Sequence, residues 1–265
     1  MSPDENFVFI LALCAGLVLW YRWGWVCGRV ARFGARPRSR VLLWVAPLVC
    51  LSLLLLVLRT ASAEDVRYDP VYLVFYAVLG IAWVGVAKIV LAPLGLSARD
   101  DVIERGNGAA AWAIAGALVG LTLCFAGANI GNGPGWWVVV FSGALATGCF
   151  LLAWVVLARM TGWADRITID RDGAAGVRAA GFFIGAGLIL GRAVAGDWQS
   201  ASVTLLDFCR LSWPIFLLAA TALVVEKMLP PAGPPLRVGA VRGWLPGTAY
   251  VVLAGALVAL MGCWS

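Results

Sequence analysis

Eight apolar runs, each of about twenty residues, leave this chain little choice of architecture. They cover Phe7–Val26, Val41–Leu58, Val71–Leu91, Gly108–Ala128, Trp136–Ala158, Gly173–Ala195, Val203–Val225 and Leu245–Cys263. A run of that length matches the roughly 30 Å hydrocarbon core of a bilayer when it is helical. In lipid every backbone amide must be satisfied within its own segment, so helices are the form such runs can take. Only 13% of the residues are charged, against about a quarter in a soluble domain, which excludes a water-soluble fold. The fold expected is an all-α polytopic membrane helix bundle. The opening MSPDEN is acidic and lacks the positive stretch of a cleavable signal, so the first span is expected to be retained.

The fourth and sixth runs sit in a near-repeat. Asp100 to Ala128 reads DDVIERGNGAAAWAIAGALVGLTLCFAGA, and Asp165 to Ala193 reads DRITIDRDGAAGVRAAGFFIGAGLILGRA. At one offset Asp100 meets Asp165, Asn107 meets Asp172, Gly108-Ala109-Ala110 meets Gly173-Ala174-Ala175, and Gly120 meets Gly185. Each copy is an acidic loop, an Asn or Asp, then an apolar helix carrying G-x-x-x-G. With the preceding run included, the unit is a two-span hairpin, and both copies enter the membrane in the same direction. Such copies relate by an axis along the membrane normal. Residues 71–198 therefore form a duplicated four-span core, flanked by hairpins at 1–70 and 199–265. Pro246-Gly247-Thr248-Ala249 and Ala254-Gly255-Ala256 echo the unit weakly in the last hairpin.

Orientation follows from arginine. The loop after the first run holds Arg29, Arg32, Arg36, Arg38 and Arg40 with no acid. Loops after the third, fifth and seventh runs hold Arg99 and Arg105, then Arg159, Arg166 and Arg171, then Lys227, Arg237 and Arg242. Short Lys/Arg-rich loops stay cytoplasmic, which places both termini outside. The net charge of +6 is then a topology signal with an anionic leaflet as its partner, and it calls for no nucleic acid.

Few residues can carry chemistry. The chain has no histidine, which removes the commonest general base and metal ligand. Its seven cysteines lie singly in apolar runs, so neither a metal nor a disulfide framework is expected. No cofactor is expected. Asn107 and Asp172 precede helix starts and read as N-caps, or else as paired members of an ion or ligand site. Gly116/Gly120, Gly181/Gly185 and Gly187/Gly191 read as close helix crossings. Arg178 is near enough to the cytoplasm to snorkel; Arg192, Asp207 and Arg210 lie toward the outside. Asp207 either neutralises Arg210 or Arg192, or shares a solute pathway with them. Lys88 reads as a snorkelling anchor. Glu104, with Asp100 and Asp101, and Asp165 with Asp170 and Asp172, form acidic loops interleaved with arginine. Most of the fourteen tryptophans lie near span ends, as an interfacial belt does.

The stretch LGIAWVGVAKIV, then IERGNGAAAWAIAGALVG, then DRDGAAGVRAAGFFIGAGLILGRAVAG resembles the YjfL-type family over roughly Val71 to Gly196. Its most specific elements are Glu104 followed by Gly106, Asn107, Ala109 and Ala111, and the A-G-x-x-x-G after them. Asp172 stands where the family's second copy often has Asn. The resemblance implies a four-span unit in small bacterial inner-membrane proteins of unsettled activity, some encoded near envelope-stress or polyamine-related genes.

The expected function is a non-enzymatic multi-pass inner-membrane protein. It would serve as a subunit or scaffold of a homo- or hetero-oligomeric assembly, with the Arg29–Arg40 or Asp165–Asp172 loop open to a soluble partner. The competing reading is a channel or transporter for a small ion or solute at the repeat interface.

Overall fold

The computed structural model describes residues 1–29, 37–229 and 240–262. Among them the regular structure is helical: α1 (Pro3–Arg29), α2 (Pro37–Thr60), α3 (Glu64–Tyr68), α4 (Pro70–Leu91), α5 (Gly108–Gly127), α6 (Trp136–Thr161), α7 (Trp163–Thr168), α8 (Gly173–Val194), α9 (Ala201–Leu211), α10 (Pro214–Met228) and α11 (Leu245–Leu260). Short π-helical turns, Ala98–Glu104 and Ala240–Trp244, lead into α5 and α11. Eight helical segments are long and apolar enough to cross a membrane, with α9 and α10 together forming one of them. The protein is an all-α, polytopic membrane helix bundle.

The helices lie in two layers. Contacts run α2–α5, α5–α8 and α8–α11, so the second helix of each hairpin joins an inner row. The first helices, α1, α4, α6 and α10, back that row from one side. Burial peaks in the middle of that row: the apolar windows of α5 and α8 are 83% buried, those of α2 and α11 at its ends 28%, and those of α4 and α1 behind it 56% and 17%. Since lipid tails are as apolar as leucine, no hydrophobic force drives α5 onto α8; close packing of small residues does. A Cβ on Gly116 would strike the Ala180 backbone, one on Gly176 the Ala109 carbonyl, and one on Gly127 the Gly191 carbonyl. The other face of α8 does the same toward α11, where a Cβ on Gly181 would strike the Gly247 carbonyl.

Backbone hydrogen bonds recur 65 residues apart. At the end where α5 and α8 begin (the entry end), Asp101 N–H donates to Ser97 O and Arg166 N–H to Gly162 O. Asn107 N–H donates to Asp101 O at 3.0 Å and Asp172 N–H to Arg166 O at 2.9 Å. The residue before each cap is left-handed, with φ 64° at Gly106 and φ 56° at Arg171. At the opposite, exit end the two connecting loops bind each other: Asn132 donates its N–H and Nδ2 to Asp197 Oδ1 at 2.7 and 3.1 Å.

Two expectations are corrected. The seventh run, expected as one helix over Val203–Val225, is interrupted at Ser212–Trp213, because Pro214 has no N–H to continue α9 and instead starts α10. The tryptophan belt is only part of the story. Trp154 and Trp163 are fully buried, and their indole N–H groups donate to Leu94 O and Ala175 O, each at 3.1 Å. Trp23 is buried as well and donates to Leu43 O. An indole whose one polar atom finds a carbonyl can be buried as a cross-brace between helices.

Candidate functional site

The densest polar arrangement inside the bundle lies at the entry end, where α7, α8, α10 and the Ala240–Trp244 turn meet. Arg178, one turn and a half into α8, is 2% exposed. Its Nε donates to Glu226 Oε1 and its Nη2 to Glu226 Oε2 at 2.8 Å, a fork that fits both carboxylate oxygens. Arg178 Nη1 donates to Arg242 O. Glu226, fully buried near the end of α10, also accepts from Arg166 Nη1 of α7 at 3.3 Å. The same Nη1 lies 2.9 Å from Glu226 O and 3.3 Å from Leu229 O, capping the last turn of α10. Asp172, 1% exposed, adds a favourable charge beside Arg178. Two arginines and two carboxylates balance, so the cluster is neutral as a whole.

This geometry corrects the reading of Arg178. It does not snorkel toward water; it turns into the bundle and is paired there. Sequence reasoning does not single out Glu226, because the acid falls one residue beyond the apolar run that ends at Val225. The usable signal was a lone acid one residue beyond an apolar run, opposite a lone arginine inside another. Tyr250 of α11, 1% exposed, stands against the cluster, and its hydroxyl has no hydrogen-bond partner among the described residues.

Asn107 and Asp172 are N-caps. Asn107 Oδ1 accepts from Ala109 and Ala110 N–H at 2.9 and 3.3 Å; Asp172 Oδ1 accepts from Ala174 and Ala175 at 2.9 and 3.2 Å. Asn107 does more, donating Nδ2 to Ile167 O at 2.7 Å and so tying the cap of α5 to α7.

The acidic loop of the first copy is self-contained. Glu104, exposed, pairs with Arg99 at 3.0 Å. Asp101 Oδ2 accepts from Ser97 N–H at 2.9 Å, and Oδ1 lies 3.4 Å from Arg105. Burial pushes the Asp101 carboxyl up, opposed by the Ser97 amide and Arg105. Lys88 lies 3.8 Å from the Trp20 ring centroid and donates to Leu19 O, a cation–π cradle at its span end. Arg192 reaches Met261 O and Gly262 O at the end of α11. Asp207 and Arg210 are exposed on α9, and the expected ion pair between them is not formed.

At the exit end a cleft opens between loops, lined by Asp65, Tyr76, Asn129, Asn132, Ser142 and Trp198. Asn129 donates Nδ2 to Phe125 O, while its buried Oδ1 has no partner among the described residues. Most of the Arg29–Arg40 loop falls at residues 30–36, outside the described residues. Comparison with known proteins finds no family model, no curated protein and no solved structure that matches this chain. The protein is placed by its architecture alone, as a multi-pass membrane protein with eight helices, among the described residues, long and apolar enough to cross a membrane.

Proposed function

We propose that this protein is a non-enzymatic structural subunit of a membrane assembly in a bacterial inner membrane, with its entry end in the cytoplasm. The observation that carries this reading is the closed seam at the centre of the molecule. Between α5 and α8 the glycines bring backbone against backbone, so the interface that a solute would have to cross is filled. The charges of the buried cluster are likewise saturated: both Glu226 oxygens are taken by guanidinium groups, although the Tyr250 hydroxyl beside them has no partner among the described residues. A carrier site needs a polar group held in reserve for its cargo, and a saturated one serves better as a staple.

The entry end presents a surface suited to a soluble partner. In the loop after α7, Ile169 is 69% exposed between charged residues that are also exposed. We read α4–α5 and α6–α8 as two copies of one unit, supported by the hydrogen bonds and caps that recur at a single offset. The YjfL-type resemblance belongs to this reading, since its most specific residues, Gly106 and Asn107, form the left-handed turn and the cap. A role in envelope stress would follow from that kinship.

A channel or transporter is the second reading, favoured by the exit-end cleft and its unpartnered Asn129 Oδ1. Two measurements separate the readings. A photo-crosslinking residue at position 169, in cells, should trap a discrete soluble protein, and purified protein in liposomes should pass neither K⁺ nor protons above the protein-free rate. Flux that disappears in Asn129→Leu while the protein stays folded would overturn the scaffold reading.

A further inference from the structure

We propose that a second copy of this chain docks on α9, through reciprocal ion pairs between Asp207 of one protomer and Arg210 of the partner subunit. The inference starts from an exception. Of the other charges described within the apolar spans, Arg178 pairs with Glu226, Lys88 sits on Trp20 and Leu19 O, and Arg192 reaches the carbonyls that end α11, while Arg22 is a lone exposed base near the entry end of α1. Asp207 and Arg210 make neither an ion pair nor a side-chain hydrogen bond among the described residues, and both are exposed. Charges on a membrane span are costly unless paired, and they normally face protein. In α9 only Phe208 is buried, so the face carrying both charges looks away from this chain.

Symmetry favours a second copy over an unrelated partner. Residues three apart share a helix face and differ by about 4.5 Å in height. In a dimer whose two-fold axis lies along the membrane normal, the two α9 helices run in the same direction. Asp207 then meets Arg210 of the partner subunit across a rise that an arginine side chain spans, and the axis generates the second pair at once. The interface is isologous and closes at two protomers, with no charge left over. Leu206, Trp213 and Leu217, between 45 and 53% exposed, continue the face along α9 and α10 and supply apolar packing around the pairs. A foreign helix would have to present an acid and a base at matching heights, whereas a second copy does so by construction. The proposal stands whether the protein is a scaffold or a channel.

Charge reversal tests it. Full-length protein would be prepared as wild type, Asp207→Arg, Arg210→Asp and the double reversal, and its mass measured in detergent and in nanodiscs. Proximity would be read from bismaleimide cross-linking at Cys209, which is exposed on the same helix, with the other cysteines replaced. Wild type should be dimeric. Each single reversal should weaken association by roughly tenfold or more, as expected for a close charge pair. The double reversal should restore the dimer, and a mixture of the two single variants should form mixed dimers. Thermal unfolding should be unchanged, because neither side chain packs within the protomer. Monomeric wild-type protein, dimers indifferent to the single reversals, or a folded double reversal that stays monomeric would each overturn it.

Discussion

Asp172 stands 65 residues after Asn107 in the same capping position, and the difference is explained by what each side chain meets. Both cap a helix through Oδ1. Asn107 must also donate to Ile167 O, which a carboxylate cannot do. Asp172 lies beside Arg178, whose counterpart in the first copy is Ala113. The turn before each cap is kept even though Gly106 is replaced by Arg171 at φ 56°, a backbone region that costs a side-chain-bearing residue about 1–2 kcal/mol. Arg178 was visible in the sequence because a charge interrupts an apolar run. Its partner was hidden, because Glu226 is 48 residues away and no periodicity links two helices of different hairpins. Removing one side of this buried fork should be much worse than removing both. Glu226→Ala is expected to cost roughly 3–5 kcal/mol, since Arg178 is left charged and buried. Glu226→Leu combined with Arg178→Met should recover most of that loss, because two apolar side chains of similar volume replace two ions. Thermal unfolding in detergent reads both variants, and a double variant no more stable than Glu226→Ala would show that the cluster is not a self-contained pair.

Among the elements, α8 carries more glycines than α5, and its neighbours explain why. α5 and α8 each have a row neighbour on both sides, but Gly116, Gly120 and Gly127 of α5 all meet α8, whereas α8 closes backbone to backbone on two neighbours. Gly176, Gly187 and Gly191 meet α5, while Gly181 and Gly185 meet α11. The G-x-x-x-G spacing was legible in the sequence; which neighbour each glycine faces was not, because spacing specifies a stripe and not a partner. The row itself outruns the sequence match. α2 packs beside α5 as part of the same row although no repeat is detectable in the first hairpin, since helix packing needs small or complementary shapes and not identical residues. The expectation at this scale contrasts two glycines. Gly116→Ala places a methyl against the Ala180 backbone, which cannot yield as a side-chain tip could, so it should cost roughly 1–3 kcal/mol of overpacking. Gly148→Ala on α6 meets nothing within 4 Å and should be neutral. Folded yield and unfolding temperature measure the contrast, and equal behaviour would mean that the α5–α8 seam is looser than its glycines require.

For the whole molecule, orientation is the property that the sequence bears on most directly, because the positive-inside rule acts through loop charge. On the proposed reading, the arginines after the first, third, fifth and seventh runs would keep the entry end, with α7 and the Ala98–Glu104 turn, in the cytoplasm. The exit end, with α3 and the loops joined by Asn132 and Asp197, then faces outward. Probes must be accessible for this to be tested. Ser39 is only 5% exposed and would report burial instead of sidedness. Ile169 at the entry end and Tyr68 at the exit end are 69% and 74% exposed. On a cysteine-free background, Tyr68→Cys in intact cells with a permeabilised outer membrane should react with a membrane-impermeant maleimide. Ile169→Cys should react only after the inner membrane is opened or when a permeant reagent is used. The opposite pattern would invert the molecule, moving the Arg166–Glu226–Arg178 staple and the Ile169 surface to the outside. Labelling of both sites by the impermeant reagent would mean that the entry and exit ends of the bundle lie on one side, which spanning helices do not allow.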